Sequence, residues 1–281
     1  MAAHGEVHGD AVAHEARADD ADASDVVRVH VAVGSVSAHE CSRGMPVRQH
    51  TAVRATRYNK RMVSEPNIVL ASESQRRREI IQALDSAVEI VPSGVDEPPP
   101  DQEESAEEYV ANTASVKARA VASNGHSEAL VIGADTSVVL EGKILGKPVD
   151  EAEARVMLTA LRGRSHRVVT GVTVSRDGAA ASSVTSSDVA MREYSDAQIE
   201  AYIESGEPFD KAGGYAIQDP VFAPVSALSG CYLNVVGFPL CEVKRLIAEV
   251  GVDVRLKQDW GAPERCPSEC PVRVVSGVGT S

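Results

Sequence analysis

Positive charge, aromatic rings and long apolar runs are all scarce in this chain of 281 residues. Lysine and arginine total 28 against 41 aspartates and glutamates, a net charge of -13. That balance argues against holding nucleic acid or an anionic membrane by bulk attraction, and makes any local Arg/Lys cluster more telling. With three Phe, six Tyr and one Trp, the chain also lacks the extended basic and aromatic surface that nucleic-acid binding uses. No stretch approaches the ~18 apolar residues of a membrane span. Met1 to Asp25 has no apolar core of the signal-peptide kind and is rich in Asp, Glu and His. Cysteine is sparse as well: Cys41, Cys231, Cys241, Cys266 and Cys270, an odd number at irregular spacing. Such a set suits the reduced thiols of a cytoplasmic protein better than a disulfide framework. Cys266-Pro-Ser-Glu-Cys270 looks like half a zinc site, but no second Cys/His pair of finger-like spacing accompanies it.

What is present is ordinary for a soluble globular protein, 43% hydrophobic and 25% charged. The length suffices for one large or two small domains. Residues 1–61 differ in kind from the rest. They hold six of the eight histidines (His4, His8, His14, His30, His39, His50), and no sustained period of 2 or 3.6. Val26 to Val33 is strand-like but has no clear partner, so disorder or loose attachment is expected. Met62 stands just before the first ordered pattern, and the segment ahead of it reads as an extension or a start-site artefact. Metal binding by its histidines is a weak alternative.

From Pro66 strands and helices alternate. Ile68 to Ala71 is a buried-strand pattern, Ser74 an N-cap, and Ile80, Ile81 and Leu84 the apolar stripe of the helix that follows. Ser105 to Ser123 has helical spacing, with Tyr109, Val110, Thr113, Val116 and Ala120 expected on the buried face and Gly125 as the stop. Leu130 to Ala134 reads as a strand ending in Asp135-Thr136, and Val138 to Leu140 leads to a turn at Glu141-Gly142-Lys143. Asp150 with Glu153 forms a capping box for a helix carrying Met157, Leu158 and Leu161. Arg167 to Val174 and Ser182 to Met191 form a hairpin about Asp177-Gly178. Ser195 with Gln198 caps a short helix that stops at Gly206. A Gly/Pro-rich stretch, a strand around Tyr232 to Val236 and a helix over about 240–250 complete the pattern. Beyond Gly251 the tail is irregular and is expected to pack weakly. A single α/β unit over about 66–250 accounts for all of this.

Several residues in that unit carry chemistry. Arg76 and Arg77 fall at a helix start, where unsatisfied N–H groups and partial positive charge disfavour cations unless an anion arrives. Strand, hydroxyl-rich turn and two forked guanidiniums make a phosphate-binding arrangement, against the plainer alternative of an exposed basic turn. Asp135, at the end of an apolar strand, would be desolvated without a metal or cationic partner; a turn cap is the alternative. Lys117 runs its stem along an apolar face, which snorkelling alone explains. Lys147, in Gly146-Lys147-Pro148, is no Walker lysine, because the spacing is short and proline replaces the magnesium-binding hydroxyl. Glu207 to Gln218 is dense in Gly and polar groups, and the Gln218 amide suits a nucleobase edge, with a structural loop as the plainer alternative.

Taken in order, eight segments resemble the Maf family of nucleoside triphosphate pyrophosphatases. They are Leu70-Ala71-Ser72-Glu73-Ser74-Gln75-Arg76-Arg77, Val95-Asp96-Glu97, Lys117-Ala118-Arg119-Ala120, Gly133-Ala134-Asp135-Thr136, Gly146-Lys147-Pro148, His166-Arg167-Val168-Val169-Thr170-Gly171, Glu207 to Gln218, and Asn234-Val235-Val236-Gly237-Phe238-Pro239-Leu240. They span about 66–250 and leave both ends unmatched. The resemblance implies an α/β fold with an elongated mixed β-sheet, flanking helices and two lobes around a nucleotide cleft, shared with inosine triphosphate pyrophosphatases. It implies hydrolysis of a nucleoside triphosphate to monophosphate and pyrophosphate with Mg²⁺ or Mn²⁺, in a cytoplasmic homodimer. Asp135 becomes the proton acceptor, Ser72, Arg76, Arg77, Lys117 and Lys147 surround the triphosphate, and Glu97 joins Asp135 near the metal. Arg77, Thr136 and Gln218 match the specificity positions of the branch acting on dTTP and UTP. Gln75 departs from the usual proline, which softens the helix start without removing a ligand. Met191 departs from an aromatic near the hairpin end. The family's association with septum formation leaves a second expectation, a cell-division regulator acting through protein binding.

Overall fold

The computed structural model describes residues 66–101, 103–266 and 270; the expectations for residues 1–61 lie outside them. In chain order the elements are β1 (Ile68–Ala71), α1 (Gln75–Ile81), β2 (Val88–Ile90), α2 (Ala106–Ser123), β3 (Leu130–Leu140), β4 (Lys143–Leu145), α3 (Glu151–Leu161), β5 (Ser165–Arg176), β6 (Ala179–Met191), α4 (Asp196–Glu204), β7 (Val225–Ser229), α5 (Tyr232–Val236) and α6 (Leu240–Glu249). Two 3₁₀ turns, Glu207–Asp210 and Ala212–Gly214, lie between α4 and β7. The seven-stranded mixed sheet runs β2-β1-β3-β5-β6-β7, with β4 beside β3.

Strand β1 is parallel to both its neighbours, β2 and β3, and the remaining pairs are antiparallel. The chain leaves β1 for β2 on one side and returns to β3 on the other. Right-handed crossovers then put α1 and α2 on opposite faces and open a crevice beyond the strand ends where the direction reverses. Ile80 and Ile81 of α1 accordingly join Ile68, Leu70 and Ile132 in the main core. Ala118 and Val121 of α2 pack on Val69, Ala71 and Val131. Because β3 is covered on both faces, it is buried along almost its whole length, Thr136 alone being partly exposed.

Glycine sets how closely α2 lies on the sheet. A Cβ on Gly133 would fall 2.2 Å from the Ala114 carbonyl oxygen, and one on Gly171 2.3 Å from that of Val110. The helix backbone therefore rests directly on β3 and β5, which brings Lys117 over Asp135.

Several sequence expectations are corrected. The α2 face is rotated: Ala106, Val110, Ala114, Lys117, Ala118 and Val121 are buried, whereas Val116 is 43% exposed. Helix α1 ends before Leu84, which is buried in a bridge to Leu256. Tyr232 to Val236 is a helix, not a strand; Cys231 caps its start and Gly237, at φ 110°, its end. Five apolar residues do not carry enough period to separate the two, and the strand is Val225–Ser229 just before. At Asp150 half the capping box forms, since Glu153 Oε2 accepts from the Val149 N–H instead. Residues 252–266 are irregular but not loosely packed. Val252, Val254 and Leu256 are buried, and Lys257 N–H donates to the Ala83 carbonyl.

Candidate functional site

Strand β3 has one edge shared by two short partners. β1 pairs with it as far as Gly133 and β4 only from Val138, so Ala134 to Ser137 have no strand partner on that edge. Asp135 and Thr136 are therefore in the middle of a strand, at a break in its neighbour, and not at a strand end as the sequence suggested. Successive side chains point to opposite faces, so Asp135 faces α2 and Thr136 faces α1.

On the α2 face, Lys117 Nζ is 2.8 Å from Asp135 Oδ1 and 2.8 Å from Glu97 Oε1. The ammonium does not snorkel out; Lys117 and Asp135 are both buried. Burial acts to raise the Glu97 carboxyl, but the hydrogen bond and charge of Lys117, with smaller contributions from Lys147 and Arg77, hold it below the usual carboxylate range. Lys147 itself is exposed, yet close enough for its charge to act on Glu97. Two carboxylate oxygens converging on one cationic atom make a hard-oxygen pair suited to a divalent ion that keeps waters and phosphate oxygens as further ligands. Among the described residues no group of three His, Cys, Asp or Glu is placed to hold a metal.

On the opposite face, the Arg77 guanidinium is buried and tied in four directions. Nε donates to the Gly237 carbonyl (2.9 Å), Nη1 to the Ala134 carbonyl (2.8 Å) and Ser72 Oγ (3.3 Å), and Nη2 to Thr136 Oγ1 (3.0 Å). Burial pulls its pKa below the usual range, Asp135 opposes that and Arg76 adds to it. Arg77 thus fastens α1 to the open edge of β3 and to the end of α5, with Ser74 accepting its backbone N–H as the N-cap. Gly237 is required there: its φ is 110°, and a Cβ would sit 3.3 Å from Thr136 Oγ1.

Arg76 points elsewhere. Its Nη1 and Nη2 donate to the Asp210 carboxylate (2.8 Å) and carbonyl (3.1 Å). Asp210 also accepts from buried Lys211 at 2.6 Å. Burial would raise the Asp210 carboxyl, and Lys211 and Arg76 together bring it below its usual value. The structure thus gathers Ser72, Arg77, Thr136, Asp135, Lys117 and Glu97 about one strand edge, with Arg76 held at its margin. Gln218 is exposed and makes no hydrogen bond to this group. Sequence reasoning missed Asp210, Thr170 and Asn234, all inside quoted motifs. Apolar patterning gives no sign of them, because their partners are distant in sequence.

An α/β sheet whose strand reversal gathers buried Arg, Lys and carboxylate groups offers, at the usual ligand position of such sheets, charges suited to phosphate. The chain belongs to the Maf-like protein family, whose model matches residues 67–250. It is 42% identical over 205 residues to the dTTP/UTP pyrophosphatase of Thermomicrobium roseum, covering 73% of this chain and 93% of that one. With the dTTP/UTP pyrophosphatase of Moorella thermoacetica it shares 45% identity over 202 residues, 69% and 97% of the two chains. Against the solved HAM1 protein of Coxiella burnetii the TM-score is 0.33 at 20% identity, over 45% of this chain and 73% of that one, too slight a likeness to bear on the fold.

Proposed function

We propose that this protein is a nucleoside triphosphate pyrophosphatase acting on dTTP and UTP, releasing the monophosphate and pyrophosphate. The observation that carries the proposal is the open edge of β3, with a carboxylate and lysine group on one face and Arg77 with Thr136 on the other. Membership of the Maf-like family and the names of its relatives support the same reading. In this reading the triphosphate lies on the Asp135 side and the base meets Thr136 and Gln218 across the edge.

Asp135 takes a proton from the water that attacks the α-phosphorus, its carboxylate held in position by Lys117 at 2.8 Å. Lys117, Lys147 and Arg76 stabilise the charge that spreads over the phosphoryl oxygens, Arg76 by exchanging Asp210 for phosphate. Ser72 and Arg77 keep the loop after β1 in place. Glu97 and Asp135 would hold Mg²⁺ or Mn²⁺, which supplies charge neutralisation on the phosphates. A homodimer in the cytoplasm belongs to the same proposal; among the described residues no helix is long and apolar enough to cross a membrane.

Pyrophosphate release by the purified chain over a panel of canonical and modified triphosphates, with and without divalent cation, tests the reading. Preference for dTTP and UTP with cation dependence is expected. Equal rates on all canonical nucleotides would remove the branch assignment, and absence of release on any would remove the enzyme.

A further inference from the structure

Thr136 is the accessible end of a series of hydrogen bonds whose direction follows from counting protons. Thr170, fully buried and directly opposite Thr136 on β5, has its hydroxyl 3.1 Å from the Asn234 backbone carbonyl. A carbonyl only accepts, so the single proton of Thr170 is committed there. In the 3.0 Å pair between the two threonine hydroxyls, Thr136 is then the donor. The reverse direction would give up the 3.1 Å bond and leave Thr136 to donate to the Gly237 carbonyl at 3.5 Å, a weaker arrangement. Thr136 Oγ1 also accepts from Arg77 Nη2. With its proton turned inward and one lone pair on Arg77, the hydroxyl keeps one lone pair for a ligand.

Arg77 offers the complement. Four of its five N–H groups go to the Gly237 and Ala134 carbonyls, Ser72 and Thr136; the fifth, on Nη2, has no partner among the described residues. One acceptor and one donor therefore lie 3.0 Å apart at the open edge. Asn234 anchors the inner end, its Nδ2 donating to the Val168 carbonyl at 3.0 Å and to Ser187 Oγ at 2.9 Å.

We propose that Thr170 is a positioning residue for base selection: by taking the Thr136 proton it leaves Thr136 an acceptor, which favours uracil and thymine over cytosine. The inference rests on the reading that the substrates are dTTP and UTP. Uracil and thymine carry a proton on N3 beside a carbonyl, matching a lone pair beside an N–H. Cytosine presents a bare N3 at the same place and sets acceptor against acceptor. A site built around such a hydrogen bond rejects the unmatched analogue far more strongly than shape alone does.

The test is kcat/KM for UTP and CTP with the wild-type chain, Thr170→Val and Thr170→Ser. Valine preserves the volume, and the Asn234 carbonyl still accepts from the Gly237 N–H at 2.9 Å; thermal unfolding checks that each variant folds. Without Thr170 the Thr136 hydroxyl keeps only the Gly237 carbonyl at 3.5 Å, a weak acceptor that cytosine N3 outcompetes, so the UTP to CTP ratio in Thr170→Val should fall by about tenfold or more. Thr170→Ser should keep the wild-type ratio. Equal proportional loss on both nucleotides in a folded Thr170→Val would mean a merely structural threonine and overturn the proposal. Should valine prevent folding, Thr170→Ala carries the same comparison. A wild-type chain that does not favour UTP over CTP sinks the substrate reading and this inference together; a wild-type preference that survives Thr170→Val sinks this inference alone.

Discussion

Asp135 and Thr136 are adjacent in the chain yet meet opposite faces of β3, Asp135 against Lys117 and Thr136 against Arg77; in the proposed function they divide the work between phosphate and base. Asp135→Asn keeps the side-chain volume and leaves Lys117 bonded to Glu97. The fold should survive while hydrolysis drops by about 10²-fold or more, the lower end of a general-base effect. Near-normal turnover in the folded variant would mean that another group takes the proton. Lys117→Met should act differently. It strands the buried Asp135 carboxylate without its cation, and removing one member of a buried pair costs about 3–5 kcal/mol. Denaturant unfolding should therefore show a large loss of stability for Lys117→Met and a small one for Asp135→Asn, and equal losses would contradict the account of the buried pair.

At the scale of elements, the closeness of α2 to the sheet decides whether Lys117 reaches Asp135 at all. Gly133→Ala would drive a methyl into the Ala114 carbonyl, and relief by moving α2 outward should cost about 1–3 kcal/mol and lower activity by lengthening the Lys117 to Asp135 contact. An unaltered melting temperature together with wild-type activity would show that the glycine is not needed for the approach. Elements with local signals were legible in the sequence: the helix starting after Ser105, the Ser195 and Gln198 cap, the hairpin turn at Asp177-Gly178 and the stripe of α6, where Leu240, Val243, Leu246 and Ile247 are buried. Where the partner is distant the signal is lost. Val116 looks like a core position until the glycines of β3 and β5 turn α2 to another face, and Leu256 has no period that announces its bridge to Leu84. The site follows the same division. Asp135, Lys117 and the arginine pair stand out as charges in apolar surroundings or at a helix start. The partition of Arg76 to Asp210 and Arg77 to Gly237 depends on loops 134 and 160 residues away.

Across the whole molecule, titration of one buried histidine should limit acid stability. His166 is buried against Tyr215, with Nε2 2.7 Å from the phenol oxygen, and burial lowers its pKa from 6.5 to about 4. The folded state therefore binds this proton later than the unfolded chain does. Stability unaffected above pH 6.5 is lost progressively as pH falls from 6.5 to 4, by roughly 3 kcal/mol in all. His166→Gln does not titrate, so its unfolding free energy should decline less than that of the wild type across this window. Parallel curves would remove His166 from the account.

The pyrophosphatase claim itself can be read from the products. With dTTP as substrate in ¹⁸O-labelled water and a divalent cation present, attack at the α-phosphorus delivers the label to the thymidine monophosphate and none to the pyrophosphate. Mass spectrometry of the two products should find that distribution, and Asp135→Asn should slow its appearance. Label in the pyrophosphate, or release of orthophosphate with thymidine diphosphate, would contradict a site built to place water against the α-phosphorus.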